Sequence, residues 1–425
     1  MLNDEQLEAL KFIEDNQNVF ITGGAGVGKS YLINHFVDLN KDKNILLCAP
    51  TGVASINIGG STLHRVFKIP VKLLTPNEPL INYHDVMSVL RKIDIIIIDE
   101  ISMCREDVFN YVCRYIKYEN QDRVDNQYRQ GTLPIKLILV GDFYQLPPVI
   151  TNVEKNIFYE MYHNTSGFAF QSESWKELDI KTFELKTIVR QSDKEFSNCL
   201  NAIRKNNNPD LDFINFNKHE EYIDNAVYLC SVNATADDFN QKKLAMLNTQ
   251  SKTFNMRKTG DISKIKKSDL CVAEELTLKI GCRVMTVIND TDDAYQNGSL
   301  GTVVEFTDND EVVVQFDNGW KVTLSDHCFD IIDYTVSGEG KSASVSKDIV
   351  ASYYQIPLKL AYAITIHKSQ GQTYDSVNID LSRIFAEGQL YVALSRCKSI
   401  QNTYFNGYLG NGKVKVSNVV KEFIG

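Results

Sequence analysis

Residues Gly23 to Ser30 read G-G-A-G-V-G-K-S. Just upstream, Asn18 to Thr22 (N-V-F-I-T) is apolar and has the length of a short buried strand. Just downstream, Tyr31 to Asn40 sets Leu32, Ile33, Phe36, Val37 and Leu39 at helical spacing. Strand, glycine loop, Lys-Ser and helix is the order of a phosphate-binding P-loop, and G-x-x-x-x-G-K-[ST] is met at every fixed position. Glycines let backbone N–H groups curl around phosphate oxygens without a clashing Cβ, and the helix N-terminus adds positive potential there. The candidate phosphate site is therefore Gly24, Ala25, Gly26, Val27, Gly28, Lys29, Ser30 and Tyr31. Lys29 is placed to reach the β- and γ-phosphates, and the Ser30 hydroxyl to ligate Mg²⁺.

The length of 425 residues allows about two to four domains. Hydrophobic content of 43% and charged content of 23% describe an ordinary globular chain and exclude a disordered one. No apolar run approaches the roughly 20 residues needed to span a membrane. The N-terminus, M-L-N-D-E-Q, is acidic and lacks an apolar signal core, so a cytoplasmic protein is expected. The nine cysteines include no C-x-x-C pair, which predicts reduced thiols and no zinc site. A net charge of −9 argues against a broad basic nucleic-acid surface and restricts any such contact to a local groove.

In the first half, Asn3 to Asn16 reads as a helix carrying Leu7, Leu10, Phe12 and Ile13. Gln6 has two readings here: a hydrogen bond to an adenine edge, or a capping box closed with Asn3. Ile45 to Ala49 is a second buried strand, stopped by Pro50-Thr51-Gly52. Ile56 to Phe67 (I-N-I-G-G-S-T-L-H-R-V-F) gathers hydroxyls, a histidine and an aromatic, which suits either a sugar-phosphate backbone with a stacked base or a plain polar loop. Arg65 to Tyr83, punctuated by Pro70, Pro76 and Pro79, reads as a small insertion. Ile93 to Glu100 (I-D-I-I-I-I-D-E) predicts a central parallel strand ending in two carboxylates. Asp99 is placed to hold Mg²⁺ and Glu100 to orient or deprotonate an attacking water, the alternative being acids that cap the next helix. Glu119 to Thr132 is polar and reads as a loop. Leu137 to Val140 is a further strand, and Gln145 just beyond it is a candidate γ-phosphate sensor.

In the second half, Leu185 to Gln191 carries Arg190, and Val227 to Cys230 is a strand. Residues 251 to 270 form a basic window in an acidic chain. From Leu278 to Leu324 short β-runs with Asn297-Gly298 and Asn318-Gly319 turns predict a small antiparallel barrel inserted in an α/β domain. The α/β pattern resumes at Leu358 to Thr365, then His367 to Thr373, the strand Val377 to Leu381 and a helix from Gln389 to Arg396. Arg190 and Arg396 suit a γ-phosphate, because a planar guanidinium matches charge spread over equatorial oxygens.

Taken together, T-G-G-A-G-V-G-K-S, A-P-T-G-V-A, I-G-G-S-T-L-H, I-I-D-E-I-S-M, G-D-F-Y-Q-L-P-P-V, V-R-Q, A-I-T-I-H-K-S-Q-G-Q-T and Y-V-A-L-S-R occur in this order from Thr22 to Arg396. The set resembles superfamily 1 DNA helicases of the Pif and RecD-like branch, which includes the phage Dda type. The resemblance implies an α/β fold with two RecA-like P-loop domains, a small wedge insertion at 65–83 and an inserted SH3-like β-barrel accessory domain. It implies the boundaries 1–185 for the first domain, 186–250 with 345–425 for the second, and 251–344 for the accessory domain. ATP with Mg²⁺ would be the cofactor pair, and single-stranded DNA with tailed or forked duplex the partner of a monomer moving 5′ to 3′. By matching position, Lys29, Glu100, Gln145, Arg190 and Arg396 would be catalytic, Ser30 and Asp99 would hold the metal, and Gly371 would lie near the nucleotide. The resemblance tilts Gln6 to adenine. Thr51, Gly52, Thr62, His64, Phe67, Thr365, His367 and Lys368 fall where such helicases touch DNA. Two departures stand out: Val27 replaces a common Thr, and Thr132 to Leu137 (T-L-P-I-K-L) lacks the family's usual P-F-G-G. The competing classes are a P-loop ATPase switch that moves nothing and an RNA-directed motor.

Overall fold

The computed structural model describes residues 2–70, 72–125, 133–150, 154–188, 193–265, 270–290, 294–295, 297–337 and 344–424. The chain forms two compact units. Unit 1 comprises Met1–Arg190, Ile332–Asp348 and Asn418–Gly425, and unit 2 comprises Gln191–Ile331 and Ile349–Ser417.

Unit 1 is built on a six-stranded sheet of β1 (Asn18–Gly23), β2 (Ile45–Ala49), β3 (Ser61–Thr62), β4 (Ile95–Ile98), β5 (Lys136–Val140) and β6 (Lys181–Leu185), in the order β3-β2-β4-β5-β1-β6. All five pairings are parallel. A parallel strand flanked on both faces is apolar throughout, and β4 is four buried isoleucines. One face is covered by α1 (Asp4–Asp15) and α2 (Lys29–Leu39), whose Ala9, Leu10, Ile13, Leu32, Ile33 and Phe36 join Val19, Ile21, Ile97 and Ile138 in one core. On the other face Phe20 meets Phe143 and Trp175, with ring centroids 5.1 and 5.5 Å away. Between these strands run α3 (Gly52–Asn57), α4 (Leu63–Val66), α5 (Tyr83–Leu90), α6 (Glu106–Asp125), α7 (Glu154–Tyr162) and α8 (Glu173–Glu177).

The insertion at 65–83 is fastened to α6 rather than left as a free excursion. Leu74 N donates to Asp107 Oδ2 (3.0 Å), Ile81 N to the Tyr111 hydroxyl (3.0 Å), and Arg114 Nη1 to the Glu78 carbonyl (2.6 Å). Positions 107, 111 and 114 share one helical face, so a single stripe of α6 clasps the loop. The loop expected over Glu119 to Thr132 is corrected in its first part, since α6 continues to Asp125. Buried Arg123 explains this: it pairs with Glu119 at 2.8 Å and donates to the carbonyls of Leu90, Ile93 and Leu133. Residues 126–132 lie outside the described residues.

Unit 2 holds α9 (Lys194–Lys205), α10 (Leu211–Asn217), β7 (Val227–Cys230) and α11 (Asn233–Met246) before a long β insertion. The insertion contains β8 (Ser251–Asn255), β9 (Arg257–Gly260), β10 (Glu275–Lys279), β11 (Arg283–Thr286), β12 (Leu300–Phe306), β13 (Val312–Phe316), β14 (Lys321–Leu324), β15 (His327–Ser337), β16 (Ser344–Gln355) and β17 (Leu358–Leu360), of which β15 from Ile332 onward and β16 as far as Asp348 are counted with unit 1. Five of these strands form an antiparallel sheet, β14-β13-β12-β11-β17. The four-stranded parallel sheet β18-β7-β19-β20 follows, from β18 (Ala363–Thr365), β19 (Val377–Ile379) and β20 (Thr403–Phe405), with α12 (Gln389–Leu394) beside it.

Two boundaries differ from the sequence reading. The run Leu358 to Thr365 holds two strands, because Leu358–Leu360 pairs with β11 while Ala363–Thr365 pairs with β7. The β insertion therefore runs to Leu360 rather than ending at 344. The terminal helix α13 (Asn418–Ile424) belongs to unit 1 rather than to the second α/β domain, since Phe423 stacks on Phe170.

Candidate functional site

Parallel strands deliver their carboxyl ends to one edge, and ligands of such sheets bind where the strand order reverses. In unit 1 the register pairs Ile21 with Val140 and Ile98 with Leu139. The P-loop after β1, Asp99-Glu100 after β4 and Gly141–Gln145 after β5 thus leave the sheet side by side.

The P-loop needs its glycines. Gly23 has φ +144°, and a Cβ there would lie 2.4 Å from the Leu185 carbonyl oxygen. Gly28 is the α2 N-cap in the left-handed conformation at φ 84°. Lys29 Nζ bridges the carbonyls of Gly23 (2.8 Å) and Gly24 (3.1 Å), so the ammonium is held over the loop. Val27 is 2% exposed and packs in the core below the loop, an apolar role that suits Val at this place. Tyr31 points outward, 51% exposed.

Asp99 is 7% exposed. Burial pushes its carboxyl up to about 7, the Glu100 carboxylate adds to this, and the Glu100 N–H and Lys29 oppose it. The Glu100 N–H donates to Asp99 Oδ1 at 2.8 Å. Glu100 itself sits at φ 51°, ψ 41°, a left-handed conformation that a non-glycine residue adopts only when its surroundings impose it. A desolvated carboxylate next to a second one is an oxygen donor set that fits a hard divalent cation, with phosphates and water completing its shell. Ser30 supplies a hydroxyl at the start of α2.

Gln145 is 6% exposed, and its Nε2 lies 3.5 Å from Asp142 Oδ2. Asp142 Oδ1 accepts from the Tyr144 N–H at 3.2 Å. Asp142 was not singled out by sequence reasoning, although it stands inside the motif that contains Gln145. The signal was a charged residue two positions past a strand whose last four residues are buried.

Gln6 closes the capping box: Asn3 Oδ1 accepts from the Gln6 N–H at 2.8 Å and Gln6 Oε1 from the Asn3 N–H at 3.1 Å. Of its two readings, the cap is formed here. Arg190 lies outside the described residues. Arg396 is 1% exposed in unit 2. Its guanidinium donates to the carbonyls of Val392 (2.9 Å), Ser369 (3.2 Å) and Gln372 (3.0 Å) and to Ser395 Oγ (2.8 Å), fastening α12 to the His367–Thr373 segment. Gly371, in that segment, takes φ 80°.

The candidate DNA contacts divide. Thr51 Oγ1 accepts from Ala54 N, Thr62 Oγ1 from Arg65 N and Thr365 Oγ1 from Lys368 N, so all three hydroxyls cap local backbone. A hydroxyl that accepts still has its proton to donate. Gly52 starts α3 and His64 lies in α4, both half-buried. Phe67 is corrected: it is fully buried, 6.0 Å from the Tyr115 ring, and is a core residue rather than a base-stacking platform. In the basic window Lys252 is paired to Asp310, Arg257 to Asp326 and Lys258 to Glu274, and residues 266–269 lie outside the described residues. Lys368 is exposed, and burial lowers the pKa of the half-buried His367. All nine cysteines are free thiols. Among the described residues no helix is long and apolar enough to cross a membrane.

The PIF1-like helicase family model matches residues 1–212. An ATP-dependent DNA helicase Pif1 of Campylobacter jejuni is 34% identical over 89% of this chain and 86% of its own length. The crystal structure of a Bacteroides Pif1 in complex with ADP-AlF4 superposes with a TM-score of 0.85 at 31% identity, covering 100% of this chain and 96% of that one. A Bacteroides Pif1 bound to single-stranded DNA superposes at 0.70 with 32% identity and the same coverage.

Proposed function

Because this chain belongs to the PIF1-like helicase family, we propose that it is an ATP-dependent DNA helicase that moves 5′ to 3′ on single-stranded DNA and unwinds duplex. The observation that carries the reading is the convergence of Lys29, Asp99-Glu100 and Gln145 on one edge of the unit 1 sheet. Lys29 sits where it neutralises the β- and γ-phosphates of ATP. Glu100, held in its left-handed turn, takes the proton of the attacking water. Asp142 positions the Gln145 amide beside it. Gln6 has an amide group beyond its capping oxygen to meet adenine. Asp99 and Ser30 would hold Mg²⁺, which would supply positive charge against the phosphates. A cation there would favour the ionised form of the Asp99 carboxyl.

Arg190 and Arg396 are assigned to the γ-phosphate by matching position. For Arg396 this requires exchange of hydrogen bonds that its guanidinium now makes within unit 2. Thr51, Gly52, Thr62 and His64 in unit 1, and Thr365, His367 and Lys368 in unit 2, are assigned to the DNA backbone. The chain is assigned as a monomer. Backbone contacts of this kind bind without regard to sequence and weaken as salt rises.

The test is ATP hydrolysis with and without single-stranded DNA, for wild type and Glu100→Gln, followed by duplexes with 5′ or 3′ tails. Strong stimulation by DNA, unwinding of the 5′-tailed duplex and loss of both in Glu100→Gln are expected. A rate indifferent to DNA would leave a nucleotide switch. Stimulation by RNA alone would redirect the motor to RNA.

A further inference from the structure

In unit 2 the strand β17 (Leu358–Leu360) pairs antiparallel with β11 in the register Val284 with Leu360, Met285 with Lys359 and Thr286 with Leu358. Directly opposed residues share a face, and successive residues alternate faces. Val284, Leu358 and Leu360 lie on the face that packs into the core of the antiparallel sheet. Met285 and Lys359 therefore occupy the other face. That face looks toward the His367–Thr373 segment and its continuation, since the Tyr374 hydroxyl reaches Met285 Sδ at 3.7 Å. Near the start of β12, a Cβ on Gly298 would meet Gln372 Oε1 at 1.6 Å, so the backbone there runs directly against the same segment. Lys359 thus stands beside the segment that carries His367 and Lys368.

Lys359 is half-buried yet has no hydrogen bond or ion pair among the described residues. The Lys368 ammonium has none either; burial lowers the pKa of Lys359, the nearby Cys271 opposes this, and the charge of Lys368 adds to the lowering. Three other cations of unit 2 have carboxylate partners: Lys258 has Glu274, Arg283 has Asp317 and Lys398 has Asp375. Holding a partly desolvated ammonium near a second one without a carboxylate is unfavourable in the ligand-free chain. An anion placed between them removes that cost.

We propose that Lys359 and Lys368, with His367 beside them, form an anion site on unit 2 that takes a phosphate of the single-stranded DNA backbone. The proposal rests on the helicase reading and adds Lys359, which no sequence motif contains. The site makes no base contact, so its contribution is the same for every sequence.

The test is binding of an oligothymidylate to the full chain over a salt series, for wild type, Lys359→Gln, Lys359→Met, Lys359→Arg and Lys368→Gln, with melting temperatures alongside. Each lost single-strand phosphate contact lowers the slope of log K against log salt by about 0.7. Lys359→Gln and Lys359→Met are each expected to lose about that slope with a several-fold loss of affinity, while Lys359→Arg retains both. Lys359→Met, which removes the buried charge, is expected to melt no lower than wild type. If Lys359→Met melts as wild type or higher and leaves the slope unchanged, Lys359 is a packing residue and the proposal is overturned. Loss of slope in Lys368→Gln but not in either Lys359 variant overturns it as well, and leaves the helicase reading standing. If wild type does not bind oligothymidylate at all, the helicase reading falls and the proposal with it.

Discussion

The Phe423 ring lies parallel on the Phe170 ring, with centroids 4.1 Å apart and an interplanar angle of 6°. Phe143, next to Asp142 in the Gln145 loop, meets both edge-on at 5.8 and 4.8 Å. The terminal helix is thereby part of the aromatic layer under the nucleotide edge of unit 1. Phe423→Ala removes a stacked pair and leaves a void against Trp175. It should cost unit 1 about 2 kcal/mol or more in denaturant unfolding, whereas Phe423→Leu should cost less.

Asp142 is expected to act through Gln145. Asp142→Asn keeps the size of the side chain but replaces a carboxylate that accepts from Gln145 Nε2 and Tyr144 N. ATP turnover should fall about tenfold while the KM for ATP changes little, because a misplaced catalytic group costs rate more than binding. An unchanged kcat would remove Asp142 from the machinery.

The Glu106 carboxyl, at the start of α6, is pushed up to about 6 by burial and by the neighbouring Asp107, against an opposing hydrogen bond from Asn164. A raised carboxyl pKa favours the protonated fold. Its contribution is full below pH 4.5, the usual value for this side chain, and is lost as pH rises through about 6. Glu106→Gln keeps an acceptor for Asn164 and carries no charge. Its unfolding free energy should vary less than that of wild type between pH 4.5 and 6.5 and exceed it at pH 7 by about 1 kcal/mol, read from melting or denaturant curves.

Arg123 and Glu119 form a buried ion pair at 2.8 Å. Arg123→Met should destabilise unit 1 by about 3–5 kcal/mol, since it strands the Glu119 carboxylate and frees three backbone carbonyls. The double variant Glu119→Leu/Arg123→Met should recover part of the loss, and a cycle of melting curves reads the coupling.

The amino-acid sequence by itself determined the candidate nucleotide site of this chain. Gly23 to Ser30, Asp99-Glu100 and Gln145 are short segments attached to apolar strands, and each residue type is required by local chemistry. A parallel sheet then brings the strand ends together without further specification. The tertiary structure decided what depended on distant partners. Phe67 carries no mark that separates a buried ring from a base-stacking one; Tyr115, far along the chain, decides it. The polar stretch after Glu119 becomes helix only because three backbone carbonyls and Glu119 surround Arg123. Leu358 to Thr365 is one apolar run in sequence and two strands in space, because β11 claims its first part and β7 its last. Periodicity reports which residues seek burial; only packing chooses the surface that buries them.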